Sequence, residues 1–194
     1  MKRIVCTLVA VALLTACSPE TPSADPSVPT TPASTAPATP TPSTSASLDP
    51  AKDPLYLEAE KVYRAYFEEM RKVEASGFAS PEWPKAMDQY VTGRMKDVLA
   101  ETIRESHEFE WRPMSGETSQ LTAVAPNPGV QARGSIVSIR TCTDGRGVTL
   151  VRKSDGQPVK KGVLVYKEIY FKRFSGSLKG FTQSARRVDQ CPIE

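Results

Sequence analysis

Few residues in this sequence have the types and spacing that chemistry requires. His107 is the one histidine, set in Ser106-His107-Glu108-Phe109-Glu110-Trp111. An imidazole beside carboxylates is the kind of group that moves a proton in general acid–base catalysis. Its place at the end of a helical pattern equally suits a simple contact between a positive ring and a helix C-terminus. With one histidine there is no His-rich zinc site. The cysteines are Cys6, Cys17, Cys142 and Cys191, and none of them forms a Cys-x-x-Cys pair. Ser115 and Ser119 lack a nucleophile-elbow setting. Gly145-Arg146-Gly147 is too short for a phosphate loop and sits between strands, where it reads as a hairpin turn. Carboxylates are plentiful, yet no pair stands out from the rest. No catalytic, cofactor-binding or metal-ligating residue is assigned and no cofactor is expected, and 194 residues exclude a large enzyme.

Cys17 has the most specific setting. Lys2 and Arg3 precede an apolar run, residues 4–14. That run is far shorter than the ~20 residues a membrane-spanning helix needs. It ends in Leu14-Thr15-Ala16-Cys17, which resembles the lipobox of bacterial lipoproteins. The resemblance implies that residues 1–16, with Cys6, are a cleaved signal peptide. It also implies that Cys17 carries a diacylglycerol thioether and further acylation such as palmitate. The protein would then be held on the extracytoplasmic face of the cell membrane, since two chains anchor stably at about 0.8 kcal/mol per buried CH₂. An ordinary secretory signal with a cysteine near its cut is the alternative. Residues 17–50 are then the lipidated cysteine and a tether. From 18 to 49 there are 8 Pro, 14 Ser or Thr and 5 Ala in 32 positions, a composition that cannot repay the entropy of ordering and is expected to be disordered. It reads as a plain spacer or as a carrier of O-glycans. Such tethers are similar to those of lipoproteins from actinobacteria and their phages.

If Cys6 is discarded and Cys17 lipidated, Cys142 and Cys191 are left facing an oxidising exterior, and a disulfide between them is the default.

The elements that must position these residues fall in 51–194, expected to be one domain. Asp53-Pro54 is a helix start. Tyr56, Ala59, Tyr63, Tyr66, Phe67, Met70 and Val73 recur at helical spacing up to Gly77. The aromatic stripe faces a core or lines a pocket. A second helical segment runs from near Pro84 to about Ser106, with Gly93 expected to weaken it or divide it into two shorter helices. Strands are predicted at 120–125, 134–142, 148–151, 162–174 and 178–188. In the longest, Val163, Val165, Ile169 and Phe171 share a face interrupted by Lys167, and the other face is also substantially apolar, as a central strand requires. Phe181 and Val188 are the core candidates of the last. Helices followed by an antiparallel sheet make an α+β fold.

That order resembles the cone fold of nuclear transport factor 2-like (NTF2-like) and SnoaL-like proteins, with N-terminal helices on a curved antiparallel sheet of about four strands. Cys142-x-Asp144-Gly145-x-Gly147 and the ending Val188-Asp189-Gln190-Cys191 are similar to actinobacterial lipoproteins of this kind. A cystatin-like domain is the neighbouring alternative. The resemblance implies a surface-anchored, non-enzymatic module that binds a small apolar ligand or an envelope protein, with homodimers made through the sheet. The alternatives are a small isomerase, dehydratase or hydrolase in which His107 takes part, or an accessory lipoprotein that contacts a membrane protein, including one that excludes other phages. Charge is unevenly shared. Residues 51–112 carry 10 Lys or Arg against 13 Asp or Glu, and residues 113–194 carry 13 against 6. An extracytoplasmic basic half meets anionic lipid or wall polymer, so nucleic acid is not an expected partner.

Overall fold

Asp53 and Pro54 start the first helix as their order predicts. The Asp53 carboxylate accepts from the Leu55 amide at 2.7 Å, and Pro54 fills the first turn, where its missing N–H loses no partner. The computed structural model describes residues 49–132 and 134–193. The expected signal peptide, the lipidated Cys17 and the tether up to residue 48 lie outside them. Among the described residues no helix is long and apolar enough to cross a membrane.

Helix α1, Pro54–Ala75, buries Tyr56, Ala59, Tyr63, Tyr66, Phe67 and Met70. Each large side chain in that stripe contributes roughly 1.5–3 kcal/mol by leaving water. The helix closes on two backbone bonds, Gly77 N–H to the Glu74 carbonyl at 2.9 Å and Phe78 N–H to the Val73 carbonyl at 3.1 Å. Gly77 takes the left-handed conformation this closure requires, with φ of 66°.

The second helical segment is divided at Gly93. Before it there is only a 3-10 turn, Lys85–Gln89, rather than a second helix; after it runs α2, Gly93–Glu108. The physical reason is the extended residues between them. Thr92 N–H donates to the Gly180 carbonyl and Gly180 N–H to the Tyr90 carbonyl, both at 2.9 Å, which ties the chain to a sheet edge before it turns into the helix. Gly93 makes that turn with φ of 54° and lies so close to the Phe181 carbonyl that a Cβ would sit 3.2 Å from it.

Two antiparallel sheets follow, so the fold is α+β. β2 (Gln120–Pro126), β3 (Val137–Asp144), β6 (Leu164–Phe174) and β7 (Ser177–Arg187) form one in the order β2-β3-β6-β7. β1 (Trp111–Pro113), β4 (Thr149–Arg152) and β5 (Pro158–Lys161) form the other in the order β1-β4-β5. The central position predicted for β6 holds. Register places Thr141, Thr143, Val165, Lys167, Ile169 and Gln183 on one face of the large sheet. The helices pack on that face, where the Tyr63 hydroxyl lies 3.3 Å from the Thr141 hydroxyl in the core.

Three expectations need correction. Gly145-Arg146-Gly147 is not a hairpin turn, because β3 and β4 belong to different sheets and the turn carries the chain from one to the other. Phe181 and Val188 are half-buried; Leu178 and Gly180 are the buried residues of β7. A register shift at Phe181 turns its ring toward the Lys172 ammonium, 4.3 Å from the ring centroid, and the close fit of Met95 against Gly180 takes the core position. β1 and β5 were not anticipated.

The disulfide joins Cys142 and Cys191, with Cα atoms 6.0 Å apart. Cys142 alternates with the inward-facing Thr141, so it lies on the face of β3 turned away from the helices. The bridge therefore fastens the tail beyond β7 across the back of the sheet to β3.

Candidate functional site

A cavity of about 460 Å³ opens between the two helices, the inner face of the large sheet and the small sheet. Small-ligand pockets typically measure roughly 300–1,000 Å³. Helix α1 contributes Phe67 and Met70, α2 contributes Leu99 and the half-exposed Val98, and the small sheet contributes Trp111 and Leu150. Apolar carbon makes the larger part of the wall. The aromatic stripe of α1 thus does both things its spacing permits: Tyr63 is sealed in the core, while Tyr66 and Phe67 reach the cavity. Burial, followed by the neighbouring Tyr63 and Glu74, holds the Tyr66 phenol well above its ordinary pKa, so it is a neutral hydroxyl.

The polar groups of the wall differ in how they are partnered. Glu74 accepts from the Ser119 amide at 3.0 Å and from its hydroxyl at 3.3 Å. On the sheet side, the Thr143 hydroxyl and the Gln183 side-chain carbonyl are buried without a hydrogen-bond partner among the described residues. Thr143 is only 7% exposed. A buried hydroxyl left without a partner costs about 1–3 kcal/mol. Lys167 is half-buried, lines the same cavity and takes part in none of the ion pairs found among the described residues.

Two glycines allow the cavity to close at the sheet junction. Gly145 N–H donates to the Val163 carbonyl at 3.0 Å and Gly162 N–H to the Val148 carbonyl at 2.8 Å, so the segment leaving β3 and the segment entering β6 are joined backbone to backbone.

No protein-family model matches the chain. No curated protein matches it either. Among solved structures it is similar to the crystal structure of the intermembrane space region of the chloroplast protein ARC6, at 12% identity and a TM-score of 0.41, over 67% of this chain and 95% of that one. At that level neither a fold family nor a role is carried over.

His107 is not among the residues lining the cavity. Its Nδ1–H donates to the Phe78 carbonyl at 2.9 Å, which fastens the end of α2 to the cap of α1. Three basic side chains of the C-terminal half are likewise engaged locally. Arg173 grips the Glu58 carboxylate at 2.6 and 3.0 Å, Lys160 lies 5.9 Å from the centre of the Trp111 ring, and Arg186 lies 4.8 Å from that of Tyr166. On the outer face, Glu168 accepts from the hydroxyls of Tyr166 at 3.2 Å, Tyr170 at 2.9 Å and Ser184 at 3.3 Å. Burial, with that bond to Glu168, pushes the Tyr170 phenol up to about 12. The carboxylate takes three donors, of which Ser184 alone crosses from β7. Among the described residues no three His, Cys, Asp or Glu side chains stand together as a metal site.

Sequence reading missed Thr143, Gln183 and Lys167 as site residues. The signal for Lys167 was visible: it is the charged interruption of an otherwise apolar face. Thr143 and Gln183 carry no such mark, because only strand register brings them to either side of it.

Proposed function

We propose that this chain is a lipid-anchored envelope protein, of an actinobacterium or one of its phages, whose NTF2-like domain binds a small, mainly apolar ligand. The observation that carries the reading is the cavity, which is apolar over most of its wall and holds buried polar atoms that the protein itself leaves without partners. The enzyme alternative draws less support, since His107 is committed to the Phe78 carbonyl and Glu74 to Ser119.

The neutral dye N-phenyl-1-naphthylamine tests the cavity. Titrated into the full chain, its fluorescence should rise and saturate at one site per molecule. Val98→Trp, which fills the mouth from a half-exposed position and spares the core, should weaken that binding several-fold. Dye binding that ignores Val98→Trp, or no saturable binding at all, would overturn the reading.

The anchor is tested separately. Cys17→Ala should move the protein from the membrane fraction to the soluble fraction or leave it unprocessed. Normal processing with full membrane retention would refute the lipid anchor and leave the cavity reading standing.

A further inference from the structure

Lys167 is a cation on the sheet side of the cavity that enters none of the ion pairs among the described residues, although Glu74 and Glu105 line the helix side of the same cavity. Strand pairing sets it opposite Thr141 on β3 and Ala185 on β7. Thr143 and Gln183 each stand two residues from those partners, on the same face, so the three polar residues form one diagonal row across β3, β6 and β7. Diagonal neighbours in a sheet lie roughly 7–8 Å apart, within reach of a long side chain. The row presents an ammonium, the hydroxyl of Thr143, a residue only 7% exposed, and an amide that can turn either end outward. All three line the same cavity. Opposite them the helices contribute hydrocarbon from Phe67, Met70 and Leu99, with Glu74 and Glu105 on the same side.

We infer that the cavity takes a single-chain aliphatic carboxylate, its head on Lys167, Thr143 and Gln183 and its chain between α1 and α2. This rests on the proposed role of the cavity as a ligand site. Lys167 offers the head an ammonium that no ion pair engages, and with Glu74 and Glu105 in the same wall a singly charged carboxylate is less opposed than a doubly charged phosphate monoester. The hydroxyl and the amide supply the remaining donors to the carboxylate oxygens, while the aliphatic chain replaces water against the apolar side. An ammonium half-buried in the wall also gains from the pairing, because its attraction to the head is stronger there than in bulk water.

Displacement of N-phenyl-1-naphthylamine by decanoic acid and by decan-1-ol at neutral pH provides the test. The two competitors share a chain and differ in head charge. With the wild-type chain, decanoate should displace the dye about tenfold more strongly than decanol, the ratio expected of a charge-assisted contact. Lys167→Met should abolish the preference by weakening displacement by decanoate about tenfold relative to decanol. Lys167→Arg should restore it, and Thr143→Val should reduce it. Lys160→Met, a charge change at the other lysine that lines the cavity, exposed beside Trp111, should leave the preference intact.

Equal displacement by the two competitors in the wild type, or a preference that survives Lys167→Met, would overturn the inference. So would a preference that disappears with Lys160→Met instead, because the head would then sit at the mouth. Dye that binds without discriminating the competitors removes this inference alone. Dye that does not bind removes the cavity reading and this inference with it.

Discussion

Gly162→Ala should lower the stability of the domain by about 3 kcal/mol or more and abolish dye binding at the cavity. A methyl group on residue 162 would fall inside the contact distance of the Gly145 carbonyl oxygen, and would lie 2.7 Å from the carbon of that carbonyl. Both obstacles are backbone, so no side chain can swing aside. Relief requires the two crossing segments to separate. That strains or breaks the bonds from Gly145 to Val163 and from Gly162 to Val148, at 3.0 and 2.8 Å. Because both glycines line the cavity, the same displacement opens its floor. Gly147→Ala is the control. Nothing lies within 4 Å of the Cβ it would add, and it should change stability by no more than about 0.5 kcal/mol. Urea denaturation of the two variants checks the pair. A Gly162→Ala midpoint equal to that of the wild type would mean that the crossing is looser than its geometry.

Loss of the Cys142–Cys191 bridge should have the second large effect. It links residues 49 apart, and in the chain-entropy account a loop of that length is worth about 4 kcal/mol. In a domain of this size that corresponds to a Tm lower by roughly 10 °C. Cys191→Ala is the informative variant, because Cys142 is wholly buried and its removal would also leave a gap in the sheet's packing. Reductant should bring the wild-type Tm down to that of Cys191→Ala and leave the variant unmoved. A wild-type Tm that ignores reductant would show that the tail beyond β7 contributes nothing to the folded state.

The parts of the fold legible in the sequence are those whose signals are local. The α1 stripe from Tyr56 to Met70, its carboxylate-and-proline start and its glycine end all lie within one stretch of chain. So do the two apolar faces of β6 and the glycine that divides the second helical segment. The small sheet is different. β5 is exposed at all four positions, so no alternation marks it, and β1 is three residues long. The turn at Gly145-Arg146-Gly147 shows why partner choice is harder than turn chemistry. The Asp144 carboxylate does grip Arg146 through its backbone and guanidinium, and that grip holds it down at about 2. Yet such a turn closes equally well whether the next strand returns to the same sheet or leaves it. Site residues obey the same division. Lys167 announces itself as a charge among β-branched and aromatic neighbours, whereas Thr143 and Gln183 acquire meaning only from pairings across three strands.

The neck at Gly145 and Gly162 has one more consequence. The chain leaves the large sheet and re-enters it through a single pair of backbone bonds, so residues 146–161 form a detour whose two ends are already joined. Lengthening or recutting the far turn at Asp155-Gly156 leaves every hydrogen bond between β3 and β6 in place, and the entropy of a longer loop rises only logarithmically. The far end of the small sheet can therefore vary, while β4 stays held to β1 and to the core through Val151. The pairing of the large sheet can stay constant while the turn between β4 and β5 changes in length.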